Sequence, residues 1–467
     1  GPLRTLTEHE AINGVLGNKF IPPLRMDTSP GFPYVKMRPS GETGRRFLFE
    51  ECGTTADGHP LYQPGPILRK DLDLIWNGLA EGKILKNYYL DCIKVERRKM
   101  ARLYKSRFFN IHNVAWLIVY KRLYLASAAF SLSKKQALGT TLGMDMHGPD
   151  VSALMNWMRE AGDKYIAGDI AGWDGNLSSE VIASTMTTEA KFLDLHESFE
   201  QIPQKEKEQN SLRRIVLIYG INNRIHIVGN TVYIALQGMP SGHGATAQTN
   251  SNSNKFCGYA NWEELWLALY TRLRMLGLEN QFDIEKILEM SKFEQKDIHT
   301  REVVQGDDNG ACVSDAAVEV YNNVSICEIY AHYGTDCQPP TKTQDGVHVP
   351  YTEIEDFEYL KCNYERDSSY RTIWHAKMST DVIEELTNWV TIHGDPEELF
   401  YSNMDDAQLF AFGHGAEYYT SFTAKVNKTL HEHQKPMLTT TYQDQRMNFL
   451  SKFGKFIPLV GGVESKT

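Results

Sequence analysis

Acidic residues at the ends of strand-like segments constrain this chain more than any other feature of its sequence. Residues 164–169 read as a short strand ending on Asp169, within the run Gly168-Asp169-Ile170-Ala171-Gly172-Trp173-Asp174-Gly175. Much later, 302–305 and 311–313 read as strand pieces on either side of Gly306-Asp307-Asp308-Asn309-Gly310, a tight hairpin. Between them, Gly238-Met239-Pro240-Ser241-Gly242-His243-Gly244 is a flexible loop. It runs into a helix from about 245 that carries Thr246 and Asn250. Taken singly, each acidic turn is an ordinary solvated turn and the loop an ordinary connection. Their order, each at a strand edge, asks for a shared purpose.

Phosphoryl transfer to a hydroxyl with two divalent cations supplies such a purpose, because it needs carboxylates that hold the ions about 4 Å apart. A strand-end Asp169 facing the hairpin pair Asp307 and Asp308 forms that clamp. Three aspartates suffice, since Mg²⁺ keeps several waters and takes one or two carboxylates. A calcium loop over 169–174 is excluded: its third and fifth positions are Ala171 and Trp173, which offer no oxygen. Asp174 is then one acid more than the clamp needs. A P-loop ATPase is disfavoured, since no Gly-x-x-x-x-Gly-Lys-[Ser/Thr] run occurs.

Charge narrows the partners. In 467 residues there are 49 Lys and Arg against 59 Asp and Glu, a net charge of −10, which excludes a uniformly basic nucleic-acid sleeve. Nucleic-acid contact must come from local stripes, and residues 94–107 hold seven basic side chains against the single acid Glu96. A solvated basic helix face is the plain alternative for that segment. Seven cysteines without a Cys-x-x-Cys pair fit a reducing compartment and no disulfide framework. The most apolar stretch, 114–130, is cut by Lys121 and Arg122 and falls short of the ~20 residues of a membrane span.

Elsewhere the pattern is coarser. Residues 26–66, rich in Gly, Pro, Ser and Thr, read as looped. Ile182, Met186, Ala190 and Leu193 recur at helical spacing behind a cap at Ser178 or Ser179. Arg224–Val228 and 231–236 flank Gly229-Asn230, a hairpin signal. Val382, Leu386, Trp389 and Val390 predict a helical C-terminal unit from Ser379. His243, alone in its loop, reads as a structural donor with no catalytic role. Residues 255–300 carry no assignment.

In seven ordered segments the chain resembles the RNA-dependent RNA polymerases of picorna-like positive-strand RNA viruses (order Picornavirales). The run Thr28-Ser29-Pro30-Gly31-Phe32-Pro33-Tyr34 resembles the family's template-entrance segment, and 94–107 its basic nucleotide channel. Asp169 with Asp174, the loop 241–250, and Asp307-Asp308 resemble three palm motifs. Pro339-Pro340-Thr341-Lys342 and Tyr359-Leu360-Lys361-Cys362 resemble the two that follow. The run Asp27–Pro33 and the chain's general character look most like those of insect-infecting, iflavirus- or dicistrovirus-like members.

The resemblance implies roles. Asp169, Asp307 and Asp308 hold two Mg²⁺ or Mn²⁺. Asp174 and Asn250, supported by Ser241 and Thr246, recognise the ribose 2′-hydroxyl; a deoxy substrate would leave the pair unsatisfied, at about 1–3 kcal/mol per group. Arg107 and Lys105 hold the triphosphate, with Arg97, Arg98 and Arg102 in the same segment. Lys342 protonates the leaving pyrophosphate. Thr28, Ser29 and Gly31 border the template, and Lys361 the primer strand. The implied partners are RNA template and primer, NTPs, a small protein primer and other viral replication proteins. The implied location is the host cytoplasm, at membrane-associated replication complexes reached through partners.

Departures are visible too. Gln305 stands where the family usually has Tyr, Tyr104 where it often has Gly, and only 27 residues precede Thr28, so part of the N-terminal fingers is expected to be absent. The implied fold is α+β, a right hand of fingers, palm and thumb with the palm built on an antiparallel sheet flanked by helices. The expected divisions are fingers 1–127, palm 128–221, a fingers insertion 222–238, palm 239–372 and thumb 373–467. Two rivals share this frame: a reverse transcriptase, disfavoured by the Asp174–Asn250 pair, and a weak or inactive RNA-binding scaffold, disfavoured by the intact aspartates.

Overall fold

The computed structural model describes residues 2–94, 107–338, 348–356, 358–388 and 395–453. At its centre, the apolar run too short for a membrane forms the buried helix Val114–Ser133. Asn113 caps it, its Oδ1 accepting from the backbone N–H groups of Ala115 and Trp116. The two cations that interrupt the run are both given partners. Lys121 Nζ donates to the Pro22 carbonyl at 3.2 Å, and the Arg122 guanidinium lies 3.3 Å from the Trp76 ring centre. Burial pushes the Lys121 ammonium down to about 8. Helices Glu8–Asn13, Pro66–Ala80, Ser179–Glu197 and Gln204–Asn222 pack around this rod. Among the described residues, no helix is long and apolar enough to cross a membrane.

Beside this core lies a four-stranded antiparallel sheet in the order Thr352–Glu353, Lys164–Ile166, Asp308–Val313, Thr300–Gln305. Strand alternation buries both its faces. Ile166, Ala311 and Val313 meet Trp262 and Trp266 of the long helix Thr246–Met275, whereas Tyr165, Val303 and Cys312 meet Leu154, Met155 and Met158 of helix Pro149–Met158. An antiparallel sheet flanked by helices is thus present as expected.

Residues 164–169 are not one strand. Pairing stops at Ile166 and resumes in the two-residue strand Asp169–Ile170, which bonds to Cys337–Gln338. In the gap, side chains replace the ladder: Ala167 N–H donates to Asn323 Oδ1 at 2.8 Å and Gly168 N–H to Asn309 Oδ1 at 3.1 Å. Period-two reading cannot see this exchange.

A second four-stranded sheet runs Phe108–His112, Tyr88–Ile93, Arg224–Val228, Thr231–Ala235, with its central pair parallel. The Gly229-Asn230 hairpin forms as predicted, Gly229 taking φ 55°. Residues 26–66 contain two short 3₁₀ turns and the hairpin Phe49–Thr54 with Pro60–Pro64. The helix read from 182–193 is Ser179–Glu197, and Ser178 is its cap.

The unassigned 255–300 stretch continues the helix to Met275, then folds back as Ile284–Met290 and Phe293–His299. It is fastened by Trp262 Nε1 donating to the Met290 carbonyl at 2.6 Å. The C-terminal unit is helical: Thr380–Leu386, Pro396–Phe412, Ala416–Glu432 and Tyr442–Ser451 close over Ile383, Phe412, Phe422 and Phe449. Its first helix buries Ile383 and ends at Leu386; Trp389 and Val390 lie outside the described residues.

Candidate active site

The acidic hairpin turns at Gly306-Asp307, with Gly306 at φ 68°, and Asp308 already pairs with Gln305 as the first residue of its strand. The tip is pinned from the long helix. Gly306 N–H donates to Ser251 Oγ at 2.8 Å, while Asn254 Nδ2 donates to the carbonyls of Gly306 at 3.1 Å and Asp307 at 2.9 Å. Asn309 then reaches across to the Gly168 backbone. Positions 169 and 307 therefore stand on adjoining segments of backbone. For Asp169 the structure describes the backbone only. Lys342, Lys105 and Arg98, together with Arg97 and Arg102, lie outside the described residues.

Asp174 follows a left-handed turn at Gly172 and sits in the single helical turn Trp173–Asn176. Asn250, 3% exposed and one turn into the long helix, donates from Nδ2 to Asp174 Oδ1 at 2.5 Å. The Asn250 Oδ1 acceptor is buried with no partner among the described residues. Burial and then the Asp307 charge push the Asp174 carboxyl above its ordinary range; the Asn250 bond and the Arg107 charge pull the other way. Three predicted groups from separate parts of the chain, Asp174, Asp307 and Arg107, thus share one electrostatic neighbourhood. Arg107 is exposed, and its carbonyl accepts from the Lys94 N–H at 2.8 Å.

The loop before the helix is docked against strand Phe108–His112. Ser241 Oγ accepts from the Asn110 N–H at 3.0 Å, and Ser241 N–H donates to Asn110 Oδ1 at 3.0 Å. Thr246 donates from its hydroxyl to the carbonyls of Pro240 at 2.7 Å and His243 at 3.0 Å, which ties the loop to the helix start. Glycine at 242 is obligatory, since a Cβ there would lie 1.6 Å from the Asn110 carbonyl oxygen. His243 is not the hydrogen-bond donor expected of it. It wedges edge-on against Tyr120 at 3.9 Å, neither ring nitrogen has a partner among the described residues, and burial holds it neutral, down to about 3.

Nearby, Arg45 donates to both the hydroxyl and the carbonyl of Thr28, and Ser29 Oγ accepts from the Gly31 N–H at 3.4 Å. Gly31 takes φ 73°, and a Cβ there would lie 2.5 Å from the His112 carbonyl. This segment therefore lies directly on the end of the strand that carries Asn110. Lys361, exposed at φ 61°, is in the turn between strands Glu358–Tyr359 and Cys362–Arg366. Gln305 is accommodated through Thr141, whose hydroxyl bonds both Gln305 Oε1 at 3.1 Å and the Tyr359 hydroxyl at 2.7 Å.

Sequence reasoning missed Asn110, Ser251, Asn254 and Asn309. One signal was available: Asn250, Ser251 and Asn254 form a polar stripe one helical turn long that is itself buried. Among the described residues, which do not include the Asp169 side chain, no group of three His, Cys, Asp or Glu could hold a metal ion.

Comparison with known proteins identifies the family and the fold. The family described as "Viral RNA-dependent RNA polymerase" matches residues 3–430. The chain is 27% identical over 437 residues to the "Genome polyprotein" of Rice tungro spherical virus (strain Vt6), covering 93% of this chain and 12% of that protein. It is 26% identical over 427 residues to the "Replicase polyprotein" of Acute bee paralysis virus (strain Rothamsted), covering 91% and 21%. The chain thus spans a small part of the curated relatives it matches. Among solved structures, a "Sicinivirus 3Dpol RNA dependent RNA polymerase" superposes with TM-score 0.71 at 20% identity, covering 97% of this chain and 82% of that one. The fold is that of a right-hand polymerase, and divalent-metal dependence is general to such enzymes. By its match over most of its length, the chain belongs to the viral RNA-dependent RNA polymerase family.

Proposed function

We propose that this chain extends RNA on an RNA template, transferring nucleoside monophosphates from NTPs to a 3′-hydroxyl during replication of a viral positive-strand genome. The observation that carries the reading is the bridge from the Asp307–Asp308 hairpin to the backbone beside Asp169, with the Asp174–Asn250 pair close enough to feel the Asp307 charge. The Asp307 charge raises the Asp174 carboxyl, so negative charge gathers where a cation would be welcome, and the oxygen-only chemistry of Asp169, Asp307 and Asp308 suits a hard divalent metal. Asp169, Asp307 and Asp308 would hold two Mg²⁺ or Mn²⁺ ions. When bound, such ions make the attacking oxygen more nucleophilic and stabilise charge on the phosphate.

The remaining roles belong to the chain itself. Asn250 holds Asp174 in place, and the pair recognises the ribose 2′-hydroxyl, with Ser241 and Thr246 setting the loop. Arg107, with Lys105 and Arg98, neutralises the triphosphate. Lys342 gives its proton to the departing pyrophosphate. Thr28, Ser29 and Gly31 border the template path, and Lys361 lies by the primer backbone.

We assign fingers to 1–127 and 222–238, palm to 128–221 and 239–372, and thumb to 373–467. Supporting the pairing of 222–238 with 1–127, the hairpin inside 222–238 shares a sheet with Tyr88–Ile93; the first division falls within the continuous helix Val114–Ser133, which fingers and palm would share. The partners in this reading are template and primer RNA, a small protein primer and other viral proteins, at cytoplasmic replication complexes.

Primer extension tests the reading. Wild type is expected to incorporate rNTPs in preference to dNTPs with Mg²⁺ or Mn²⁺, and Asp307→Asn to lose on the order of a hundredfold or more in rate. Preference for dNTPs, or unchanged rates in Asp307→Asn, would refute it.

A further inference from the structure

We propose that Asn110 is a positioning residue that sets sugar specificity: braced by Asp91, it fixes Ser241 and through it the loop that holds Asp174. This inference rests on the reading of Asp174 and Asn250 as the ribose-recognition pair. Asn110 turns both ends of its side-chain amide and its backbone N–H to the task. Its Oδ1 accepts from Ser241 N–H at 3.0 Å and Ser241 Oγ at 3.3 Å, its backbone N–H donates to Ser241 Oγ, and its Nδ2 donates to Asp91 Oδ1 at 2.6 Å. Because Asp91 can only accept, it decides which end of the amide faces Ser241.

Asp91 is itself held. Its side chain is 2% exposed, and it accepts from the Tyr233 hydroxyl at 2.6 Å and from His226 Nδ1 at 2.8 Å. Arg224 Nε donates to His226 Nε2 at 2.8 Å, which places the His226 proton on Nδ1, toward Asp91. The same Arg224 donates to the Gln237 carbonyl at 2.7 Å. One buried polar chain on the sheet therefore grips the loop at both ends, at Gln237 and at Ser241.

Between those grips, Met239 N–H donates to the Asp174 carbonyl at 2.7 Å and Gly238 N–H to the Leu177 carbonyl at 2.7 Å. The loop is thus bonded to the Asp174 turn at Met239 and to the start of the Asn250 helix at Thr246, so displacing it changes how Asp174 meets Asn250. None of Asn110, Asp91, His226 and Arg224 is among the residues proposed to hold the triphosphate or metal. Loss of this chain of contacts should thus act on discrimination between sugars more than on chemistry.

The test is the ratio of kcat/KM for an rNTP to that for the matching 2′-dNTP, measured on the full chain. Asn110→Ala should lower the ratio about tenfold. Asn110→Asp should do the same by setting two carboxylates against each other. Exchanging the pair (Asp91→Asn with Asn110→Asp) restores a donor opposite an acceptor and should return the ratio to near wild type. If Asn110→Ala does not fold, the comparison of Asn110→Asp with the exchange decides. A ratio unchanged in Asn110→Ala, an equal fall in kcat for both sugars, or no recovery in the exchange overturns the proposal. Asn250→Ala separates the two levels: if it lowers the ratio while Asn110 variants do not, only this inference fails. If Asn250→Ala also leaves the ratio unchanged, the ribose reading beneath it fails.

Discussion

Asn309 holds Gly168 by both ends of its amide, Oδ1 accepting from the Gly168 N–H at 3.1 Å and Nδ2 donating to the Gly168 carbonyl at 3.4 Å. The residue after one aspartate pair thereby grips the residue before the other aspartate. A neutral side chain thus links the two acidic segments of backbone.

Replacing Asn309 by Leu keeps the volume and removes this clasp. The backbone groups of Gly168 lose their partner, so unfolding free energy should fall by about 1–3 kcal/mol. Rate should fall further than stability explains, by roughly tenfold or more, because the carboxylates proposed to hold metal would drift. Urea unfolding and primer extension at saturating Mn²⁺ measure the two separately; a stable variant with wild-type turnover would contradict the assignment.

Gly242→Ala tests whether the loop must lie flat on its strand. With 1.6 Å between the new Cβ and the Asn110 carbonyl, the loop has to lift away. The expected outcome is a fall in kcat/KM for rNTPs with little change in the midpoint of thermal unfolding, since the loop is a small part of the core.

Glu189 predicts how stability depends on pH. It is buried between two helices, accepts from Asn252 Nδ2 at 2.5 Å, and is raised by burial from 4.5 to about 7. The folded state therefore binds this proton more tightly than the unfolded state. The stabilisation is complete below pH 4.5 and is lost as pH rises through 7, amounting to about 3 kcal/mol. Glu189→Gln should remove this slope and be the more stable protein at pH 8, as read by urea unfolding at pH 5 and pH 8.

Arg214 should be the most sensitive buried charge. Its side chain is fully buried, and it donates to Asp194, to Glu197 at 2.7 Å and to the Thr5 hydroxyl at 2.6 Å. Arg214→Met leaves Glu197, 1% exposed, without its counter-charge. A loss of about 3–5 kcal/mol is expected, with partial recovery when Glu197→Gln is added.

How much of this could be read in advance differs from element to element. Strong local chemistry was legible. Gly229-Asn230 dictates its hairpin, Ser178 its cap, and Gly306-Asp307 its turn, because each depends on dihedral preference and near-neighbour bonds. The break after Ile166 was not legible, since the ladder there is replaced by Asn309 and Asn323 from far along the chain. Nor was the fold-back over 284–299, whose anchor is a tertiary bond from Trp262 to the Met290 carbonyl. Ser241 was expected beside the sugar pair, yet its hydroxyl is spent on Asn110, a residue with no motif to mark it.

The sequence by itself determined which groups exist and in what order: the aspartates, the loop between them, the basic run and the amphipathic helices. Those follow from side-chain chemistry and short-range periodicity. Only the tertiary structure decided which of them meet. Long-range hydrogen bonds such as Asn250 to Asp174 and Asn110 to Ser241 depend on how sheets and helices stack. That stacking is set by the burial of Trp262, Tyr165 and the helix Val114–Ser133 together, and no local window of sequence contains it.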